Sequence, residues 1–309
     1  MASLFRKWRT ILLSVGAGVL LLGSVPVARA SQETQAFLTL PEGGLRLLLF
    51  SGDTPVRFIT FQNRVIRLFP WGDKGGTHKG SVRAGLVGVD FARPPGPVPL
   101  FLHSEDRSGR KALLLVMARS FQVSRLHVAR SFVTPPPALL RRLARERAII
   151  HRALDPPDEP LRFHRPFILP LSGQPTHDFG AYRYLNGRAM ARHSGEDIDA
   201  PQGTPVRASN DGVVRLAGRF YYDGNMVIVN HGGGLLTEYL HMSDIRVRAG
   251  EKVRRGEIIG HVGHTGRVTG PVLHYGAVLH GDHINPMLLS GLVGQALPLS
   301  SSSQGRVDR

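Results

Sequence analysis

A histidine and an aspartate four residues apart, His193 and Asp197, stand inside the stretch ArgHisSerGlyGluAspIleAspAlaPro, and a further histidine, His274, follows on a later run of strand character. Two imidazole nitrogens and one carboxylate oxygen are what a tetrahedral zinc ion takes when its fourth position stays open to water. Such an ion polarises carbonyls and lowers the pKa of a bound water toward about 7, so hydrolysis at neutral pH is the chemistry to expect. The three residues are therefore read as the ligands of a catalytic metal centre.

The elements that must position them are mainly strands. Short apolar or alternating runs at 45–50, 56–61 and 111–117, separated by Gly, Pro and Asp turn signals, predict a small β-sandwich over residues 31–133. Thr134 and the three prolines after it end that pattern and open a helix, since proline is tolerated in a first helical turn. Leu139, Leu143, Ile150 and Leu154 recur at helical spacing with Arg141, Arg142, Arg145 and Arg152 on other faces, so residues 134–164 read as a helical linker. Strand patterns return at 213–216, 226–230, 235–241, 257–260 and 272–275, with glycine-rich turns between them. The expected fold class is mostly β: an N-terminal sandwich, one linker helix, and a C-terminal antiparallel β domain over residues 165–291 that holds the chemistry. At 309 residues the chain has room for two such domains, each with its own core. Residues 292–309, ending in a serine run and polar residues, read as a disordered tail.

The first thirty residues differ in kind. Arg6, Lys7 and Arg9 precede an uncharged run from Ile11 to Gly23, and Ala28-Arg29-Ala30 offers small residues at the two cleavage-recognition positions. Residues 1–30 read as a secretory signal removed before Ser31, which places the mature chain in the periplasm or otherwise outside the cytoplasm. The apolar run is too short for a membrane span of ~20 residues, and no stable span is expected after removal. The absence of cysteine leaves no disulfide framework and no lipid-modified cysteine anchor. The net charge is +16, and with the four basic residues of the signal gone it is +12. Such a surplus favours anionic partners, and an exported protein meets anionic cell-wall polymer and membrane surface before nucleic acid.

The wider pattern is more specific. His193SerGlyGluAsp197IleAspAlaPro201, Gly203ThrPro205Val206, Gly224Asn225 through His231Gly232, Thr237GluTyr239LeuHis241, Gly250, Val253, Gly256, Gly260, Gly263HisThrGly266 and Gly270ProValLeuHis274 resemble, in residues and order, the M23 (lysostaphin-type) family of zinc peptidases. The resemblance runs from about Pro170 to Leu289, and the upstream β region and helix resemble the N-terminal module of proteobacterial members. It implies zinc held by His193, Asp197 and His274, peptidoglycan as substrate, and His241 as the catalytic histidine that bonds the attacking water or steadies the oxyanion. Side-chain alternation would put Thr237, Tyr239 and His241 on one face, aimed at the metal.

One position departs from the pattern. Where the family carries His-x-His, this chain has Val272-Leu273-His274, so an aliphatic group replaces an acid/base partner beside the metal. His264, His261, His231 and His177 are candidates to compensate, whereas His280 and His283 are expected to be exposed. Two functions follow: a zinc endopeptidase that cuts peptidoglycan cross-links, or a catalytically impaired binding module that activates other cell-wall hydrolases.

Overall fold

The computed structural model describes residues 36–51, 54, 56–72, 82–105 and 109–299; residues 1–30, expected from the sequence to be a secretory signal, and residues 300–309 lie outside them. Five strands, in the order Ala36–Pro41, Gly109–Met117, Gly96–Ser104, Val56–Phe61 and Arg64–Arg67, form one sheet of the N-terminal part. Leu297–Leu299, Leu45–Phe50, Arg83–Gly88 and Phe69–Pro70 form the other. Leu40, Ile59, Leu100 and Leu114 of the first sheet meet Leu48, Phe50 and Val87 of the second, so the two sheets make a sandwich.

The strand Leu45–Phe50 is apolar at nearly every position because both of its faces are buried. Leu48 and Phe50 point into the sandwich, while Leu45 and Leu47, with Ala84 and Leu86 of the paired strand, join a second core containing Leu235, Leu279 and Ile284 of the C-terminal part. The sequence led to two domains with separate cores. In the folded chain, the smaller sheet of the sandwich belongs to both.

The chain end differs from the expected tail. Leu297–Leu299 pairs in parallel with Leu48–Phe50, and Leu292 and Leu299 are buried. The serine run masks three leucines just before it, and the central Pro298 is tolerated because the strand lies at a sheet edge.

The linker contains a 17-residue helix, Pro137–Ala153, with proline in its first turn. Ala153, flanked by Ile150 and Leu154, packs on Phe220, Ile228, Leu240 and Val278. Among the described residues, no helix is long and apolar enough to cross a membrane.

The main C-terminal sheet runs Gln174–Pro175, Gly195–Asp199, Val272–Leu279, Leu235–Met242, Gly224–Asn230, Gly212–Phe220 and Lys252–Val253, each pair antiparallel. One face buries Ile198, Leu273, Tyr275, Tyr239 and Val227 in the large core. The opposite face carries the polar groups of interest at one end and receives the helix at the other.

Leu86 is 1% exposed and sits in the shared core. Leu86→Ala is expected to destabilise the protein by about 2–5 kcal/mol and to lower a single calorimetric transition. Two resolved transitions, only one of them shifted, would contradict a core common to both parts.

Candidate metal centre

Antiparallel register sets Asp197 opposite His274, and His274 opposite Leu240, so these side chains share one face. His193 lies in the turn that enters the first of these strands. Its N–H donates to the carbonyl of Ala181 (2.9 Å) and its carbonyl accepts from the N–H of Gly180 (2.8 Å). The preceding residue clamps this turn: the Arg192 guanidinium stacks on Phe91, Phe121 and Tyr182 at 4.6, 4.0 and 4.8 Å and donates to the carbonyls of Gly180 and Phe91.

The result is a tight convergence of three donor atoms. His193 Nε2 is 2.8 Å from His274 Nδ1 and 3.2 Å from Asp197 Oδ1, and His274 Nδ1 is 3.0 Å from the same oxygen. Zinc with bonds of about 2.0–2.1 Å sets its tetrahedral ligands roughly 3.3 Å apart, so the three atoms fit one ion after a shift of a few tenths of an ångström. His193 and His274 are buried, whereas Asp197 is 19% exposed at its side chain and faces a cleft of about 400 Å³. That cleft is also lined by Asp178, Arg183, Asp199, Val272 and Arg267, and one wall comes from residues 122–128.

Two groups that sequence reasoning missed hold the donors in place. Asp178 Oδ2 accepts from His193 Nδ1 at 2.9 Å, which fixes the ring with Nε2 turned inward. Arg183 donates to Asp178 Oδ2 (2.8 Å) and to Asp197 Oδ2 (2.6 Å), leaving Asp197 Oδ1 on the side of the histidines. Arg183 is positioned by parallel pairing of Tyr182–Leu185 with Val123–Leu126. The only signal in the sequence was the charge pattern of ThrHisAspPheGlyAlaTyrArg, and nothing in it distinguishes Asp178 from an ordinary turn aspartate.

The electrostatics follow from this packing. Burial alone would raise Asp197, but hydrogen bonds from His193 and His274 hold its carboxyl well below the usual range. Burial likewise opposes the charge on Asp178, and the bond and charge of His193 outweigh it, bringing that carboxyl down to about 2. His274 is lowered by burial. In His193 burial is overcome by its bonds to Asp178 and Asp197, which raise it.

His241 reaches the site by a different route from simple alternation. Thr237 and Tyr239 lie on the far face, where the Tyr239 hydroxyl bonds to Thr237 and Ser209 in the large core. Asn225 pairs with Met242 and Val227 with Tyr239, so two residues, Leu240 and His241, oppose one across a β-bulge. His241 takes φ +68° there. The bulge turns its ring onto the site face, 6.2 Å from that of His274. Its Nδ1 lies 2.9 Å from the carbonyl of Thr265, which only accepts, so Nδ1 carries the proton and Nε2 presents a lone pair. Burial and the neighbouring His274 push its pKa down to about 3, so the ring is neutral at physiological pH.

The other histidines are engaged elsewhere. His264 is exposed and bonds Gln202, His261 pairs with Asp244, and His231 bridges Asp211 and Thr237 in the core. His177 is exposed, and its backbone N–H bonds Glu196. None of the four stands in for the missing partner, and Val272 lines the cleft beside Asp197. His280 and His283, expected at the surface, are largely enclosed, and burial lowers the pKa of both.

A mostly antiparallel β domain thus carries, on the rim of a cleft, a His/Asp/His donor set that could hold a metal ion. Residues 191–286 match peptidase family M23, and this part of the chain is an M23 peptidase family domain. Peptidoglycan DD-endopeptidase ShyA of Vibrio cholerae is 43% identical over 117 residues, which is 38% of this chain and 27% of that protein. DD-carboxypeptidase/endopeptidase Mpg of Neisseria meningitidis is 48% identical over 112 residues, 36% of this chain and 24% of Mpg. The chain thus spans about a quarter of the length of these curated relatives. A crystal structure of a Pseudomonas aeruginosa protein assigned to peptidase M23 matches with a TM-score of 0.63 and 25% identity, covering 81% of this chain and 95% of that one. That likeness extends beyond the family match into the N-terminal part.

Two glycines shape the floor of the site. A Cβ on Gly195 would lie 2.5 Å from His274 Nε2 and 2.7 Å from the carbonyl of Tyr275, and one on its strand partner Gly276 would lie 2.7 Å from Glu238 Oε2. Gly195→Ala is expected to push the His274 ring off its seat and weaken zinc affinity by about 10- to 100-fold, measured by competition with a chromogenic chelator; unchanged affinity would contradict this seating. Glu238 is buried, and burial with the nearby Asp223 charge raises its carboxyl from 4.5 to about 8. The stability tied to its neutral form is complete below pH ~4.5 and is lost as pH rises toward 8. Glu238→Gln should therefore flatten the fall in melting temperature between pH 5 and pH 8. A slope equal to wild type would refute the assignment.

Proposed function

We propose that the protein is an exported zinc metalloendopeptidase that hydrolyses peptide cross-links of peptidoglycan. The observation that carries this reading is the mutual approach of His193 Nε2, Asp197 Oδ1 and His274 Nδ1 within 2.8–3.2 Å at the edge of a cleft. Similarity to peptidoglycan DD-endopeptidases supports the substrate class. The signal-like segment of residues 1–30 supports a periplasmic or otherwise exported location, where the basic surface meets an anionic polymer.

Zinc held by these residues supplies a Lewis acid for the scissile carbonyl and lowers the pKa of the attacking water. Asp178 orients His193, and Arg183 holds the outer oxygen of Asp197, so the donors are preset and little reorganisation accompanies reaction. His241, neutral and with Nε2 free, accepts a hydrogen bond from the attacking water or takes its proton. Val272, which lines the cleft, supplies no proton carrier of its own.

That aliphatic wall favours a second reading, in which the domain binds zinc and peptidoglycan and activates other cell-wall hydrolases without cutting. Digestion of purified sacculi separates the two. Under the first reading the protein binds about one zinc per chain, loses it on His193→Ala, and releases peptide fragments. His241→Ala keeps the metal and slows release by about 10²- to 10⁴-fold. A zinc-loaded protein that leaves sacculi intact, but gains hydrolysis on Val272→His, belongs to the second reading.

A further inference from the structure

The cleft holds a second guanidinium whose environment differs from that of Arg183. Arg183 is engaged by Asp178 and Asp197. Arg267 lines the same cleft as Val272, Asp197 and Asp199, and forms no ion pair among the described residues. Its guanidinium instead lies 4.7 Å from the ring centre of Tyr222. Asp223 is close enough for the two charges to interact, and burial raises its carboxyl above the usual range, but no hydrogen bond or ion pair joins it to Arg267 among the described residues.

The backbone around Arg267 is built to hold it. Its N–H donates to the carbonyl of Tyr222 at 2.8 Å. Gly266, at φ +79°, lies so near Tyr222 that a Cβ would stand 2.4 Å from that carbonyl oxygen, and 2.5 Å from the nitrogen of Gly224. Gly224 in turn abuts Thr265, whose carbonyl accepts a hydrogen bond from Nδ1–H of His241. The turn that fixes the catalytic imidazole thus also fixes Arg267. A charged guanidinium that is partly desolvated, stacked and without a bonded acid gains most from a planar anion, because its two parallel N–H groups match a carboxylate.

We propose that Arg267 is a specificity-determining residue that binds a free carboxylate of the substrate peptide within reach of the scissile bond. This rests on the peptidase reading above and names the class of peptide preferred: one whose neighbouring carboxyl is free rather than amidated. Val272 supplies no competing polar group on that wall.

Two cross-linked stem peptides that differ only in a free or amidated carboxyl next to the scissile bond test this. The protein should favour the free acid by about 10- to 100-fold in kcat/KM, the size of a charge-assisted pair. Arg267→Gln should erase the preference through KM with kcat nearly unchanged, and Arg267→Lys should restore part of it. Calorimetric binding of the free-acid product peptide should fall in parallel in Arg267→Gln, a readout independent of turnover. The proposal is overturned if Arg267→Gln keeps the preference, or slows both peptides equally through kcat. If the unaltered protein cuts neither peptide, the hydrolase reading fails, and the calorimetric comparison alone decides the role of Arg267.

Discussion

Two imidazoles and a carboxylate, drawn within 3.2 Å of one another and largely removed from water, form the constraint on which the rest of the structure depends. Burying such a group is unfavourable unless each member is bonded, so the surroundings must supply partners. Asp178 serves His193, Arg183 serves Asp178 and Asp197 together, and the Arg192 clamp holds the turn that carries His193. Two of these supports depend on the N-terminal part: Phe91 and Phe121 stack on Arg192, and Val123–Leu126 pairs with the strand of Arg183. The sandwich and its following segment are thereby part of the site's scaffold, and residues 122–128 of that segment form one wall of its cleft.

The sheet accommodates the cluster through local departures from regularity. Gly195 leaves room for the His274 ring, and Gly276 leaves room for Glu238. The bulge at Leu240 and His241 brings a third imidazole to the face that a regular strand would deny it. A regular strand would have put His241 with Tyr239 in the apolar core, where an imidazole has no access to substrate.

Much of this was legible from the residues. The runs at 45–50, 226–230 and 272–275 became strands because their period and turn flanks are unambiguous, and the helix over 137–153 followed its leucine spacing and proline start. His193, Asp197 and His274 could be grouped because donor chemistry restricts which residue types a metal accepts. The orientation of His241 was not legible, since bulges arise from pairing between strands and alternation alone gives the opposite face. Asp178, Arg183 and the clamp on Arg192 were hidden for a similar reason: their roles come from contacts between separate turns and strands, as between Arg183 and Asp197, 14 residues apart, or Arg192 and Phe91, 101 apart, with no local pattern to mark them. Leu297–Leu299 was read as tail because its apolar residues are too few to signal a strand until the edge they complete is known.

The account is tested most directly by anomalous diffraction at the zinc edge on crystals of the zinc-loaded protein. It predicts one ion bonded to His193 Nε2, Asp197 Oδ1 and His274 Nδ1 at about 2.0–2.2 Å, with a water in the remaining position facing the cleft. A zinc ion located elsewhere, or one whose fourth ligand is a protein side chain that closes it off from solvent, would contradict it.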